Sequence, residues 1–195
     1  MRVHGNNVLS RRSKIAEENN YEKYRDSLRE DFCYICGYCG KSEIVTTKGF
    51  EIDHLTPDKI DPSRREDYNN LVYSCSTCNR KKGKKWPTGD KAILHNDMEG
   101  FIDPVDKEFD NHLGRNVDGE IIYLTDLGKY MHNIAFRFDI RPTSTVWKIM
   151  NILERKEKLR EKRENGNLSS EQIKEYIAID EQLVGLQKFL FNKGE

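Results

Sequence analysis

The spacing of hydrophobic and polar residues predicts a small centre of short strands, with helices on both sides of it in the chain. Residues 11–30 are polar, lack Gly and Pro, and have a thin apolar stripe at helical spacing, which predicts an N-terminal helix. Ile44–Thr47 and Gly49–Leu55 are rich in β-branched and apolar residues, and Leu71–Ser74 is similar, so three strands are predicted. The composition from Cys78 onward then favours a helix, which Gly83 ends.

The remaining chain predicts a turn-containing extension and then helices. Asp118-Gly119 separates two extended runs, which is typical of a β-hairpin. Residues 128–139 and 143–164 have helical patterns, and the second half of the longer helix is almost wholly charged. Ser169 and Gln172 predict a capping box that begins a final helix.

These elements predict an α+β protein with one compact unit and a helical appendage. Its 195 residues are enough for one sizeable domain and short for two independent ones. The predicted parts are an N-terminal helical segment (1–32), a core (33–86), an extension with a β-hairpin (87–127) and a C-terminal helical region (128–195).

Composition narrows the class of protein only slightly. Lys plus Arg and Asp plus Glu both number 33, so total charge argues neither for nor against a nucleic-acid partner. The chain has no apolar run near the roughly 18–20 residues that span a bilayer, and no apolar signal segment, so we expect a cytoplasmic protein without membrane contact. It has no nucleotide-binding loop, so an ATP-driven function requires a second chain.

Five cysteines in a cytoplasmic protein favour metal binding over disulfides. Cys36 and Cys39 form one Cys-x-x-Cys pair, and Cys75 and Cys78 form another. Four thiolates close a tetrahedral zinc site without an open position, so the expected zinc ion is structural. Cys33 has the same spacing to Cys36, but Gly37 and Gly40 allow the tight turn of a zinc knuckle after Cys36, and Cys33 is expected to be a small buried residue.

Three further motifs accompany the cysteines: Asp53-His54, Asn70-Leu71, and Asn79 directly after Cys78. In this order they resemble the HNH endonuclease family, over roughly residues 33–85. The resemblance implies a zinc-stabilised ββα-metal core. It also implies that His54 is the general base, that Asp53 and Asn79 bind a catalytic divalent ion, and that Asn70 organises the loop between the strands.

The chemistry of phosphodiester hydrolysis suits these residue types. An imidazole is able to take a proton from water near neutral pH, and a hard cation is able to neutralise the phosphoryl oxygens. The oxygens of Asp53 and Asn79 suit Mg²⁺ or Mn²⁺, whereas zinc prefers the thiolates. Strand alternation would place Asp53 and His54 on opposite faces, so the strand must end, bulge or twist there. Glu51 is expected to be a solvated strand carboxylate, with a supporting role beside Asp53 as the alternative.

A basic cluster follows Asn79 immediately, and it predicts contact with nucleic-acid phosphates. The alternative is a solvated basic helix end that favours the helix dipole. The cluster consists of Arg80, Lys81, Lys82, Lys84 and Lys85.

Several alternatives remain open at the level of sequence. DNA is the expected substrate through the resemblance, with an RNA nuclease or toxin-like effector and a non-catalytic zinc-ribbon binding module as alternatives. The C-terminal helices either cover the core or form an interaction arm for a homodimer or another subunit. The small stand-alone chain with this HNH motif also resembles nuclease subunits of bacterial anti-phage defence systems of the Septu or retron-associated kind. That resemblance implies an ATPase partner.

Overall fold

Two antiparallel strands and a helix form the centre of the molecule. A computed structural model describes residues 1–46, 48–166 and 168–192, with side chains described through residue 186. Strands β1 (Glu51–His54) and β2 (Leu71–Ser74) pair so that His54 lies opposite Leu71, and helix α2 (Ser76–Lys82) follows directly. Helix α1 (Arg25–Asp31) packs against β2, and α2 packs against β1. This arrangement confirms the predicted α+β class with a ββα core.

The N-terminal helix is shorter than predicted. It begins as a 3-10 turn at Tyr21–Tyr24, where the Asn20 side chain accepts a hydrogen bond from Glu22 N, and continues as α1. The preceding residues are not helical, because Arg11 donates to Leu71 O and to the Asp103 carboxylate. These tertiary contacts hold the segment in a non-helical conformation despite its helix-forming composition.

The predicted strand at Ile44–Thr47 is also corrected. Glu43–Val45 forms a 3-10 turn, and the Ser42 side chain accepts from Ile44 N at its start. Thr47 lies outside the described residues. Apolar composition alone does not distinguish a strand from an apolar turn that packs against a neighbouring helix.

The extension contains the predicted hairpin. Strands β3 (Leu113–Arg115) and β4 (Ile121–Tyr123) are antiparallel. The Asn116 side chain organises the turn between them by accepting from Asp118 N and Glu120 N. The helix predicted at residues 128–139 instead begins at Asp126, capped by Thr125, and widens into a π-helical turn at Met131–Ala135. The remaining elements, in chain order, are α3 (Phe109–His112), β3 (Leu113–Arg115), β4 (Ile121–Tyr123), α4 (Asp126–Tyr130), α5 (Thr143–Glu164) and α6 (Ser170–Asn192).

The two long C-terminal helices pack against each other, and the first also packs on the core. Trp147 of α5 lies over the Arg115 guanidinium at 4.2 Å, and Met150 Sδ accepts from Ser42 N. Ser169 and Gln172 form the predicted capping box with reciprocal hydrogen bonds. None of the described helices is long and apolar enough to cross a membrane.

Four cysteines converge in the interior beside β2. Cys36, Cys39, Cys75 and Cys78 place their sulfur atoms within 4.8 Å of one another, and the sulfurs of Cys39 and Cys75 are 3.9 Å apart. A tetrahedron with Zn–S bonds of about 2.3 Å has edges of about 3.8 Å, so the donor set fits zinc. Cys33 lies outside this group, as predicted, but it is half-buried rather than fully buried.

Parts of the chain outside the ββα core contact this zinc site. Arg141 Nη1 donates to Cys78 Sγ at 3.3 Å, and Arg115 Nη2 donates to Cys39 O at 2.7 Å. The sulfur atoms raise the pKa of the Arg141 guanidinium against the opposing effect of burial. A zinc ion with four thiolates has a net charge of −2, so Arg141 stabilises it electrostatically.

We expect Cys75→Ser to release zinc and unfold the core, because binding free energy at a structural zinc site is folding free energy. Zinc content by atomic absorption and fold by circular dichroism measure both effects. Cys33→Ser is the matched control, because Cys33 is not a ligand, and it should retain zinc and fold. Full zinc content in Cys75→Ser would contradict the assignment.

Candidate active site

Alternation along β1 separates the predicted site residues into two groups. Glu51 and Asp53 face α2, where they meet Asn79 and Lys82. His54 contacts Tyr21 and the backbone of Arg65 instead. The strand ends at His54, as predicted, but its pairing is regular up to that residue. Asp53 and His54 therefore have different surroundings although they are adjacent in sequence.

His54 is held by two contacts from different parts of the chain. Its Nε2 lies 2.9 Å from Arg65 O, and since a carbonyl only accepts, Nε2 bears the proton and donates. The Tyr21 ring packs edge-on against the imidazole with centroids 4.8 Å apart. The Arg65 guanidinium also lies over the Tyr21 ring, 5.8 Å from the ring centre, so the two residues that contact His54 contact each other. These contacts fix the ring and leave Nδ1 as its acceptor.

Asp53 is buried in a polar network. Tyr38 OH donates to its Oδ2 at 2.6 Å, and Lys82 Nζ lies 3.1 Å from the same oxygen. Burial raises the pKa of the Asp53 carboxyl, while Lys82 and Tyr38 oppose this shift by favouring the ionised form. Lys82 also donates to His54 O at 2.6 Å, so it contacts the side chain of Asp53 and the backbone of His54.

The basic cluster is corrected at one position. Lys82 is fully buried, with its ammonium group 5.4 Å from the centre of the Phe101 ring, so it is unable to contact nucleic acid at the surface. The burial of Lys82 is not predicted by the sequence, because its ion pair with Asp53 forms only when α2 packs beside β1. The other four cations, Arg80, Lys81, Lys84 and Lys85, are exposed.

Asn70 and Asn79 have separate tasks. Asn70 is buried and bridges the loop between the strands: its Oδ1 accepts from Thr56 N, and its Nδ2 donates to Thr56 O and Arg64 O. Asn79 Nδ2 donates to Glu51 Oε2 at 2.7 Å across the interface of β1 and α2. Glu51 is therefore bonded to a site residue rather than being only a solvated carboxylate.

The oxygens on the α2-facing side of β1 suit a hard divalent ion. Asp53 and Asn79 bear carboxylate and amide oxygens, the ligand types that Mg²⁺ and Mn²⁺ prefer, and both Asp53 oxygens also contact Lys82 Nζ, at 3.1 and 3.4 Å. Among the described residues, only the four cysteines form a group of three or more His, Cys, Asp or Glu side chains at metal-binding distances. An ion at this position would depend on the Asn79 amide as well as on carboxylates.

Two residues at the site lay outside the sequence prediction. Tyr21 belongs to the N-terminal segment, and Tyr38 lies between the first two zinc ligands. Neither tyrosine belongs to a sequence motif that predicts a site residue, because its contact with His54 or Asp53 forms only in the folded chain.

We expect Lys82→Met to lower the free energy of unfolding by about 3–5 kcal/mol, because it leaves the Asp53 carboxylate buried without its cation. Lys81→Met, at the exposed neighbouring position, should change it by less than about 0.5 kcal/mol. Urea unfolding of both variants measures the difference. Equal stability of the two would contradict the buried ion pair.

Comparison with known proteins adds a family to this geometry. The HNH endonuclease family model matches residues 36–85, about a quarter of the chain, which include both cysteine pairs, β1, β2 and α2. No curated protein and no solved structure matches the chain significantly. An HNH domain suggests a nuclease. Residues 36–85 therefore match the HNH endonuclease family and contain a four-cysteine cluster whose geometry fits zinc.

Proposed function

We propose that the chain is a metal-dependent endonuclease that hydrolyses phosphodiester bonds in DNA, with His54 as general base. The observation that carries the proposal is the hydrogen bond from His54 Nε2 to Arg65 O. Because Nε2 bears the proton, Nδ1 is free to accept a proton from the attacking water. The edge contact with Tyr21 keeps the ring in that orientation.

The proposed ligands of the catalytic Mg²⁺ or Mn²⁺ are Asp53 and Asn79. When bound, such an ion neutralises negative charge on the phosphoryl group and on the leaving oxygen. Lys82 and Tyr38 orient the Asp53 carboxylate and favour its ionised form, and Asn70 holds the loop that follows His54. The structural zinc stays separate, since its four soft thiolates suit zinc better than the hard ions.

Nucleic-acid binding is assigned to the exposed cations at the end of α2. Arg80 and Lys81 lie on the last turn of the helix, and Lys84 and Lys85 follow Gly83. Contacts of this kind with phosphates give affinity without base sequence preference. They do not discriminate DNA from RNA, so an RNA nuclease or toxin-like effector using the same residues is the alternative, and DNA is favoured by the family.

A role in bacterial or phage-related defence, with a partner subunit, extends this proposal. Helix α6 exposes Ile173, Ile177 and Val184, which are 48–57% accessible. Apolar side chains spaced along one helix suit a protein contact. An ATPase subunit or a second copy of the chain is the proposed partner. A non-catalytic zinc-ribbon binding module is the remaining alternative.

We expect purified wild type to nick or linearise supercoiled plasmid with Mg²⁺ or Mn²⁺ and not with EDTA. His54→Ala should lose at least about 100-fold in rate, because a positioned general base contributes roughly 10²–10⁴-fold. Agarose-gel time courses measure the rates.

His95→Ala is the matched control, since it removes a partly exposed imidazole from the extension, and it should cut like wild type. The His54→Ala variant should also keep its zinc, because His54 is not a thiolate ligand. Metal-dependent cutting of RNA but not of plasmid would favour the RNA alternative. Equal cutting by His54→Ala and wild type would refute the assigned base.

We expect Tyr21→Ala to slow cleavage by about 10-fold or more, because the imidazole loses the ring that packs against its edge and its geometry loosens. Tyr123→Ala is a matched control: Tyr123 packs edge-on against His132, at 5.5 Å between centroids, away from the site. Single-turnover rates of both variants on the same plasmid measure the effect. A smaller loss in Tyr21→Ala than in Tyr123→Ala would exclude the positioning contact.

A further inference from the structure

The contact between Glu51 and Asn79 fixes which end of the Asn79 amide faces the strand. Glu51 Oε2 and Asn79 Nδ2 are 2.7 Å apart. A carboxylate only accepts hydrogen bonds and an amide nitrogen only donates, so the nitrogen must be the end that faces Glu51. The orientation of the amide therefore follows from the chemistry of the pair, although the oxygen and nitrogen ends of an amide have similar shapes.

This orientation directs the other end of the amide, Oδ1, away from Glu51. No hydrogen bond to Asn79 Oδ1 is present among the residues whose side chains are described. Oxygen of this type is a hard ligand for a divalent cation, whereas the amide nitrogen presents positive hydrogens and is unable to bind one. Rotation of the amide by half a turn would therefore abolish its use as a ligand.

Among the residues whose side chains are described, Glu51 is the only hydrogen-bond partner of the Asn79 side chain. The Asn79 backbone is fixed in α2, since its N donates to Cys75 O at 3.0 Å and its O accepts from Gly83 N at 2.8 Å. Lys82, one helical turn further on, is committed to Asp53 and His54 O. The bond with Glu51 is therefore the described hydrogen bond that orients the Asn79 amide.

We propose that Glu51 is a positioning residue that holds the Asn79 amide with Oδ1 available to the catalytic divalent ion. The inference rests on the proposed function, in which Asn79 is an ion ligand. Glu51 acts through Asn79 and lies two residues before Asp53 on the same face of β1. It thereby connects the strand and the helix that supply the two proposed ligands.

The test is Mn²⁺ binding by zinc-loaded protein, followed by the loss of the free-ion electron paramagnetic resonance signal. Glu51→Ala should weaken Mn²⁺ binding by about 10- to 100-fold, the usual effect of losing a residue that orients a metal ligand. Glu51→Gln should remain close to wild type, because the glutamine oxygen accepts from Asn79 Nδ2 in the same way. Plasmid cleavage by Glu51→Ala should recover at high Mn²⁺ concentration.

Glu120→Ala is the matched control, because Glu120 accepts from the Asn116 side-chain amide in the β3–β4 hairpin. It should bind Mn²⁺ like wild type, and unchanged zinc content in every variant should establish that the core is folded.

Three results would overturn the inference. Wild-type affinity in Glu51→Ala would show that Asn79 needs no positioning, while leaving the proposed nuclease function intact. Equal loss in Glu51→Ala and Glu51→Gln would show that Glu51 acts through its charge. Absence of Mn²⁺ binding by the wild-type protein would remove both the inference and the proposed ion.

Discussion

Thiolate coordination at the four-cysteine site is the interaction on which the rest of the structure depends. It joins the turn that contains Cys36 and Cys39 to the junction of β2 and α2, where Cys75 and Cys78 lie. Gly37 N donates to Tyr73 O, so the first turn is also bonded to β2. The two-stranded sheet is too small to form a stable core by itself. The zinc site acts together with two direct contacts from α2 to β1, from Asn79 to Glu51 and from Lys82 to Asp53, to fix α2 relative to the strands.

The remainder of the chain completes this small core. Arg115 from the extension donates to Val3 O, Cys39 O and Gly119 O, and Arg141 contacts a ligand sulfur. Phe101 packs beside the buried ammonium of Lys82. Residues 3–35 and 86–138 therefore contribute side chains to the same hydrophobic core as residues 36–85, which explains why a short hairpin is able to bury a charged pair.

Sequence reasoning succeeded where a local pattern determines the outcome. The two Cys-x-x-Cys pairs, the capping box at Ser169 and the Asp118-Gly119 turn each have short-range signatures, and all three occur in the structure. It failed where distant contacts decide. The contact of Arg11 with Asp103 holds the N-terminal segment in a non-helical conformation, and the ion pair with Asp53 keeps Lys82 buried. Both outcomes depend on partners about 30 to 90 residues away, which a local pattern does not encode.

The period of a β-strand also explains how the site is divided. With a side-chain period of two, Glu51 and Asp53 face the helix that bears Asn79, while His54 turns toward the N-terminal segment. One short strand thus presents the proposed ion ligands on one side and the proposed base on the other. Because His54 contacts Tyr21, which lies outside the matched residues 36–85, the matched region and the preceding segment together form the environment of His54. The proposed function therefore requires the substrate phosphate to lie at the end of β1, between the side of Asp53 and the side of His54.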